Sequence, residues 1–164
     1  MSITFQSSVV FVEDIAASRR FYEDLLGQEV TFDFGENVSF AGGFAIQKAD
    51  HIGPIIFGRP LAGAGPLGRE NFELYFEAED LNAVVGRLTK ASVEFVHPGR
   101  EQPWGQRVFR VYDPDRHIVE VGEPMSAVVM RFLRQGLSEE EAAQRSSMPL
   151  EIVQQFAENM KGEV

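Results

Sequence analysis

Residues 7–34 read SSVVFVEDIAASRRFYEDLLGQEVTFDF, and residues 71–98 read NFELYFEAEDLNAVVGRLTKASVEFVHP. In the first, Val9–Val12 is a β-branched and aromatic run, the pattern of a strand. Asp14 then stands where an N-cap belongs. Ile15, Phe21, Tyr22, Leu25 and Leu26 recur on one face at helical spacing, which predicts a helix over 15–26. Gly27 follows where a C′ glycine ends a helix. The second stretch repeats the order: a strand over 72–77, Asp80 as N-cap, a helix over 81–90, and a strand over 93–96. Glu13-Asp14 and Glu79-Asp80 are 66 residues apart, and the same offset pairs Ile15 with Leu81 and Val30 with Val96. Further strands are expected over 30–34, 38–40 and 44–47, and over 107–112 and 117–121. Asp113-Pro114-Asp115-Arg116 forms the turn between the last two. The chain therefore reads as an internal duplication of a βαβββ unit.

Composition sets the outer bounds. The chain has 164 residues, 44% of them hydrophobic and 24% charged, with 14 phenylalanines and no cysteine. This is globular composition, enough for one core. Without cysteine there is no disulfide, thiolate metal site or cysteine nucleophile. No apolar run approaches membrane-spanning length, and the first residues show no basic segment ahead of an apolar one, so a cytoplasmic location is expected. The net charge of −10 works against contact with a phosphate backbone. It favours a cationic or aromatic ligand, or a metal. No nucleic acid and no membrane are expected as partners.

Residues 51–70 hold five glycines and three prolines. They read as a long loop joining module 1–50 to module 71–123. Gly63-Ala64-Gly65 lacks the strand-to-helix setting of a phosphate cradle. Residues 124–164 change to helical pattern, with helices expected over 125–135, 139–145 and 150–160. Ser138 and Glu141 form a capping box. The last two resemble a helix-turn-helix, but residues 150–160 carry neither Arg nor Lys. A packing or dimer-contact role fits them better than reading DNA.

Phe11–Gly27, FVEDIAASRRFYEDLLG, and Trp104–Val121, WGQRVFRVYDPDRHIVEV, are similar to the opening and closing segments of the vicinal oxygen chelate superfamily. That group contains glyoxalase I, extradiol dioxygenases, and fosfomycin and bleomycin resistance proteins. The resemblance covers residues 4–123. It implies an α+β fold of two βαβββ modules, each curving a mixed sheet around half of a cavity, and a homodimer. The helical extension lies outside it. It also implies four strand positions for metal ligands, which here fall on Ser7, Gln47, Glu73 and Glu120. Glu120 is the family's usual type at its position. Histidine, usual at Glu73 and common at Ser7, is absent from both.

The residues leave three outcomes for Glu73 and Glu120 if they share a cavity: a bound cation, an arginine partner such as Arg107 or Arg110, or a retained proton. Gln47, Glu73 and Glu120 would suit Mg²⁺, Mn²⁺ or Ca²⁺, so a divalent ion is the one candidate cofactor. Tyr75 shares the Glu73 face of its strand. Trp104 either stacks on a ligand at the cavity mouth or caps the core. Arg107 or Arg110 would hold an anion. His97 and His51 are placed in loops, and His117 at a strand start. Arg100 and Glu101 lie in a loop placed to move over a bound molecule. The expected function is a small-molecule-binding protein without a complete metal site. The alternatives are a metal-dependent lyase or dioxygenase with Glu120 and Glu73 as catalytic carboxylates, and a regulatory protein acting through its tail.

Overall fold

The computed structural model describes residues 2–61 and 65–162. It is an α+β protein with two four-stranded sheets in repeated order, followed by three helices. Its chain forms two compact units. One comprises Met1–Glu73, Arg87–Glu94 and Tyr112–Ile118; the other comprises Leu74–Gly86, Phe95–Val111 and Val119–Val164. No helix among the described residues is long and apolar enough to cross a membrane.

The first sheet has the order β1-β4-β3-β2, from β1 (Ser8–Val12), β2 (Val30–Asp33), β3 (Asn37–Phe40) and β4 (Phe44–Lys48). β1 runs parallel to β4, with Val9 opposite Ala45 and Phe11 opposite Gln47. β3 is antiparallel to β4. Alternation divides the side chains. Val10, Val12, Val38, Phe40, Phe44 and Ile46 are buried. Tyr22 joins them, 5.2 Å from the Phe44 ring and 5.9 Å from Phe40. Each such side chain, fully buried, stabilises by about 1.5–3 kcal/mol.

Tyr22 arrives there on α1 (Ile15–Arg19) and its continuation Arg20–Leu25. Asp14 caps α1 as expected, accepting from the amides of Ala16 (2.8 Å) and Ala17 (3.0 Å). The continuation is wound more widely, with Leu26 N–H donating to Phe21 C=O, an i→i+5 bond.

The second sheet has the order β5-β8-β7-β6, from β5 (Glu73–Glu77), β6 (Phe95–Glu101), β7 (Arg107–Tyr112) and β8 (Ile118–Gly122). Between β5 and β6 lies α3 (Leu81–Lys90), where Asp80 accepts from Ala83 N–H. The tail contains α4 (Met125–Arg134), α5 (Glu139–Ser146) and α6 (Leu150–Gly162). Val128, Val129, Phe132, Ala142, Ala143 and Val153 form their common core. The helix-turn-helix pattern of α5 and α6 is thus accounted for by packing. The Ser138–Glu141 capping box is present, with both reciprocal bonds.

Two expectations are corrected. Residues 51–70 do not begin as a loop, because α2 (Ala49–Phe57) runs through His51 and Pro54 to a left-handed Gly58. Ala49 and Gly53 are buried on one face, and that packing outweighs the proline. Gly63 and Ala64 lie outside the described residues. The strand expected over 93–96 instead covers Phe95–Glu101, with register shifts that absorb Pro98 and Gly99. Its ladder partners come from β7, so His97, Arg100 and Glu101 are strand residues and not part of a moving loop.

The turn between β7 and β8 is tied into the first unit by its carboxylates. Buried Asp113 accepts from Tyr22 O–H (2.9 Å) and from the amides of Asp115 (2.9 Å) and His117 (2.8 Å). Asp115 accepts from Glu13 N–H at 3.0 Å. Burial, reinforced by the Asp113 charge, pushes the Asp115 carboxyl up to about 6. Below about pH 4 this group is protonated in both folded and unfolded chains. As pH rises toward about 6 the unfolded chain gives up the proton first, so stability is lost over that window. Asp115→Asn keeps an oxygen for Glu13 and removes the ionisation. It is expected to raise stability at neutral pH by about 2–3 kcal/mol, with no gain below about pH 4. Thermal unfolding across this range checks it; a gain independent of pH would refute the assignment.

Candidate functional site

The second sheet carries buried polar chemistry that alternation alone does not require. Glu120 lies on β8 between Val119 and Val121 and is 6% exposed. Its carboxylate is ion-paired with Arg110 of β7. Arg110 also donates to His97 Nε2, at 3.3 Å, from the strand position opposite. The other ring nitrogen of His97, Nδ1, lies 2.8 Å from Pro98 C=O. The result is a histidine, a guanidinium and a buried carboxylate in sequence. A buried carboxylate is tolerated here because a guanidinium meets it.

A second chain of hydrogen bonds begins at Trp104. Its Nε1–H donates to Gln106 Oε1 at 3.0 Å. Gln106 is 4% exposed. Its amide donates to Tyr75 Oη (2.8 Å) and Glu123 C=O (2.9 Å), and Tyr75 donates to Glu77 (2.9 Å). Burial and the Glu77 carboxylate raise the Tyr75 phenol above its ordinary value. Gly122 makes room for this chain: a Cβ there would lie 2.8 Å from Gln106 Nε2 and 3.2 Å from the Tyr75 ring.

The tail holds the turn that carries Trp104. Arg131 of α4 is ion-paired with Glu123 and donates to Gly105 C=O at 2.7 Å. Glu123 accepts from Arg107 N–H at 2.9 Å. Gly105 has φ +84°, and a Cβ on it would lie 2.2 Å from the Phe132 ring. Beside this network is a cleft of about 390 Å³, lined by Asp80, Leu81, Val85, Arg100, Arg107 and Glu123 among others.

The first unit holds the larger cleft, about 550 Å³. Val9 and Phe11 of β1, Phe57 of α2, Leu61, Leu67 and Phe72 supply an apolar lining. Arg59, Arg69, Asn71 and His117 are its polar members.

The residues expected to form the site are placed as follows. Ser7 precedes β1, and its hydroxyl donates to Ser8 C=O. Gln47 accepts from Asn37 Nδ2 at 3.0 Å. Glu73 opens β5 at an exposed position, and Tyr75 follows on the same face. Trp104 is 37% exposed and neither caps a core nor stands free, being tied to Gln106. The side chain of Arg107 is exposed, at the smaller cleft. Tyr75, Trp104 and the 106–107 segment are therefore brought together. Among the described residues no three His, Asp or Glu side chains are grouped to hold a metal ion. The donor set does not fit a resident metal, because Glu120, its buried carboxylate, is ion-paired with Arg110. Sequence reading did not single out Glu123, Arg131, Arg59 or Arg69; only the Gln106 beside Trp104 gave a local signal.

The family model of the glyoxalase-like domain matches residues 5–126. No curated protein matches the chain. Among solved structures, a protein of unknown function from Agrobacterium tumefaciens str. C58 is 41% identical, with TM-score 0.70, covering 76% of this chain and 96% of that one. A lactoylglutathione lyase from Agrobacterium tumefaciens is 22% identical, with TM-score 0.56, covering 75% of this chain and 95% of that one. Fosfomycin resistance protein FosX from Mesorhizobium loti is 19% identical, with TM-score 0.53, covering 76% and 94%. At such identities the last two show the fold.

Gly105→Ala combines a left-handed backbone with a clash against Phe132. It is expected to cost about 2–4 kcal/mol. Because Trp104 is the chain's only tryptophan, its fluorescence reports the same event: acrylamide quenching should increase. A variant with unchanged stability and quenching would show that α4 does not hold this turn.

Proposed function

The chain belongs to the glyoxalase-like family of the vicinal oxygen chelate superfamily, and on that premise we propose that it binds a small organic molecule through its own side chains, without a metal centre. The observation that carries this reading is the Arg110–Glu120 ion pair. The family resemblance makes Glu120 a metal ligand. A carboxylate so paired has its charge neutralised, and a cation would have to displace a guanidinium to reach it. The apolar and arginine-bearing cleft supports binding of an organic ligand, since clefts of about 300–1,000 Å³ with a few placed polar groups are the usual form of such sites.

Lyase or dioxygenase chemistry of the kind found in this superfamily would need a polarising metal beside the substrate oxygen. The residues that would surround it here are serine, glutamine and two glutamates. No step is assigned to them.

Native protein dialysed without chelator is expected to carry well under one metal ion per chain by elemental analysis. Arg110→Ala should destabilise the fold by about 3–5 kcal/mol, because it strands a buried carboxylate. Mn²⁺ should then raise the Tm of that variant and leave the parent's unchanged. One tightly held Mn, Ni, Fe or Zn per parent chain would overturn the proposal.

A further inference from the structure

We propose that the larger cleft of the first unit is a site for amphipathic organic anions, with an apolar body along Val9, Phe11, Phe57 and Phe72 and a carboxylate head held by Arg59 and Arg69. This names the ligand class for the small-molecule binding proposed above and rests on that reading. The first observation is charge. The chain as a whole carries −10, yet among the described residues no Asp or Glu lines this cleft, while two arginines and a histidine do. Among the described residues neither arginine is ion-paired with a carboxylate. Arg59 reaches only Pro60 C=O, at 3.4 Å, and lies 5.8 Å from the centroid of the Phe57 ring. An acidic protein repels organic anions at long range, so two arginines in a lining that carries no Asp or Glu oppose that field locally.

The second observation is that the cleft is built. Both arginine-bearing segments are seated where the backbone approaches too closely for a side chain. A Cβ on Gly53 of α2 would lie 2.8 Å from Leu61 N and 2.9 Å from Arg59 O. A Cβ on Gly68 would lie 2.0 Å from Arg116 O and 2.5 Å from His117 N. Gly68 N–H also donates to Asp115 C=O at 3.0 Å. Leu67 and Arg69, the neighbours of Gly68, are thereby held on the turn that bears His117. That histidine is held in turn, with Nδ1 3.1 Å from Asp113 Oδ2. Pre-placed groups bind with less ordering cost than groups on a free loop.

The third observation is exposed apolar surface. Val9, Phe57 and Phe72 are 48%, 52% and 46% exposed, and Phe11 lies with them. Apolar surface joined to paired-donor guanidinium groups matches a molecule with an apolar chain or ring at one end and a carboxylate at the other.

The test uses the full chain and two probes of equal chain length, decanoate and decyltrimethylammonium, below their micelle concentrations. The chain has three histidines, so histidine ¹H–¹⁵N spectra report the cleft through His117, with His97 and His51 as internal controls. Decanoate is expected to move His117 saturably, leaving His97 in place. Decyltrimethylammonium should not move it at the same concentration. In the Arg59→Gln/Arg69→Gln variant decanoate affinity should fall roughly tenfold or more. Both side chains are exposed, and circular dichroism verifies that the variant remains folded. Equal response to both probes, no response of His117 to decanoate, or undiminished affinity in the variant would each overturn the assignment. Metal content of the same sample reads the Glu120 argument separately, so either conclusion can fall while the other stands.

Discussion

Asp113 is the group on which the first unit turns. Its carboxylate is buried, and a buried anion is costly unless donors surround it. Tyr22, the amides of Asp115 and His117, and the His117 ring all point at it. Tyr22 is also part of the aromatic cluster with Phe40 and Phe44. One charge therefore couples the helix that follows β1, the core of the first sheet and the turn that leads into β8. The turn then serves as a seat for Gly68, and so for Leu67 and Arg69. Glu13 adds a further tie through Asp115. The larger cleft inherits its shape from this arrangement, since Leu67, Arg69 and His117 of its lining lie on or beside the segments it anchors.

The second unit uses the same device with a different charge. Arg131 on α4 meets Glu123, which accepts from the backbone of Arg107, while Gln106 bridges Glu123 to Tyr75. The helical extension is therefore connected to the polar face of the sheet. Phe132 presses on Gly105 from the same helix. Such networks stabilise chiefly by specifying one arrangement, because removing a partner of the buried Gln106 or Glu123 leaves that group unsatisfied. Trp104 owes its orientation to this network more than to contact with a core.

Charge illustrates the gap between composition and site. A net charge of −10 favours a cationic ligand when the protein is taken as a whole. The carboxylates, however, are spread through caps, turns and surface pairs, such as Asp14 on α1 and Glu94 with Arg116. A ligand senses the lining of its cleft at close range, where screening by salt counts least. There the arginines dominate.

The sequence by itself determined the element order, the duplication, the helix caps, the capping box and the family resemblance. These are local or periodic: a cap needs three residues, and a strand or helix announces its buried face by its own spacing. It also marked Glu120 as a residue facing away from Val119 and Val121, and it named Arg110 among the available arginines. Only the tertiary structure decided which partner each charge takes. Arg110 meets Glu120, Arg131 meets Glu123, and Tyr22 meets Asp113 across 91 residues of chain. It also decided that α2 survives Pro54, because burial of Ala49 and Gly53 is a tertiary gain invisible to local propensity. The cleft was least legible of all. Arg59 and Arg69 stand in a Gly- and Pro-rich stretch without periodicity, and their positions follow from two backbone contacts that fit only where glycine stands.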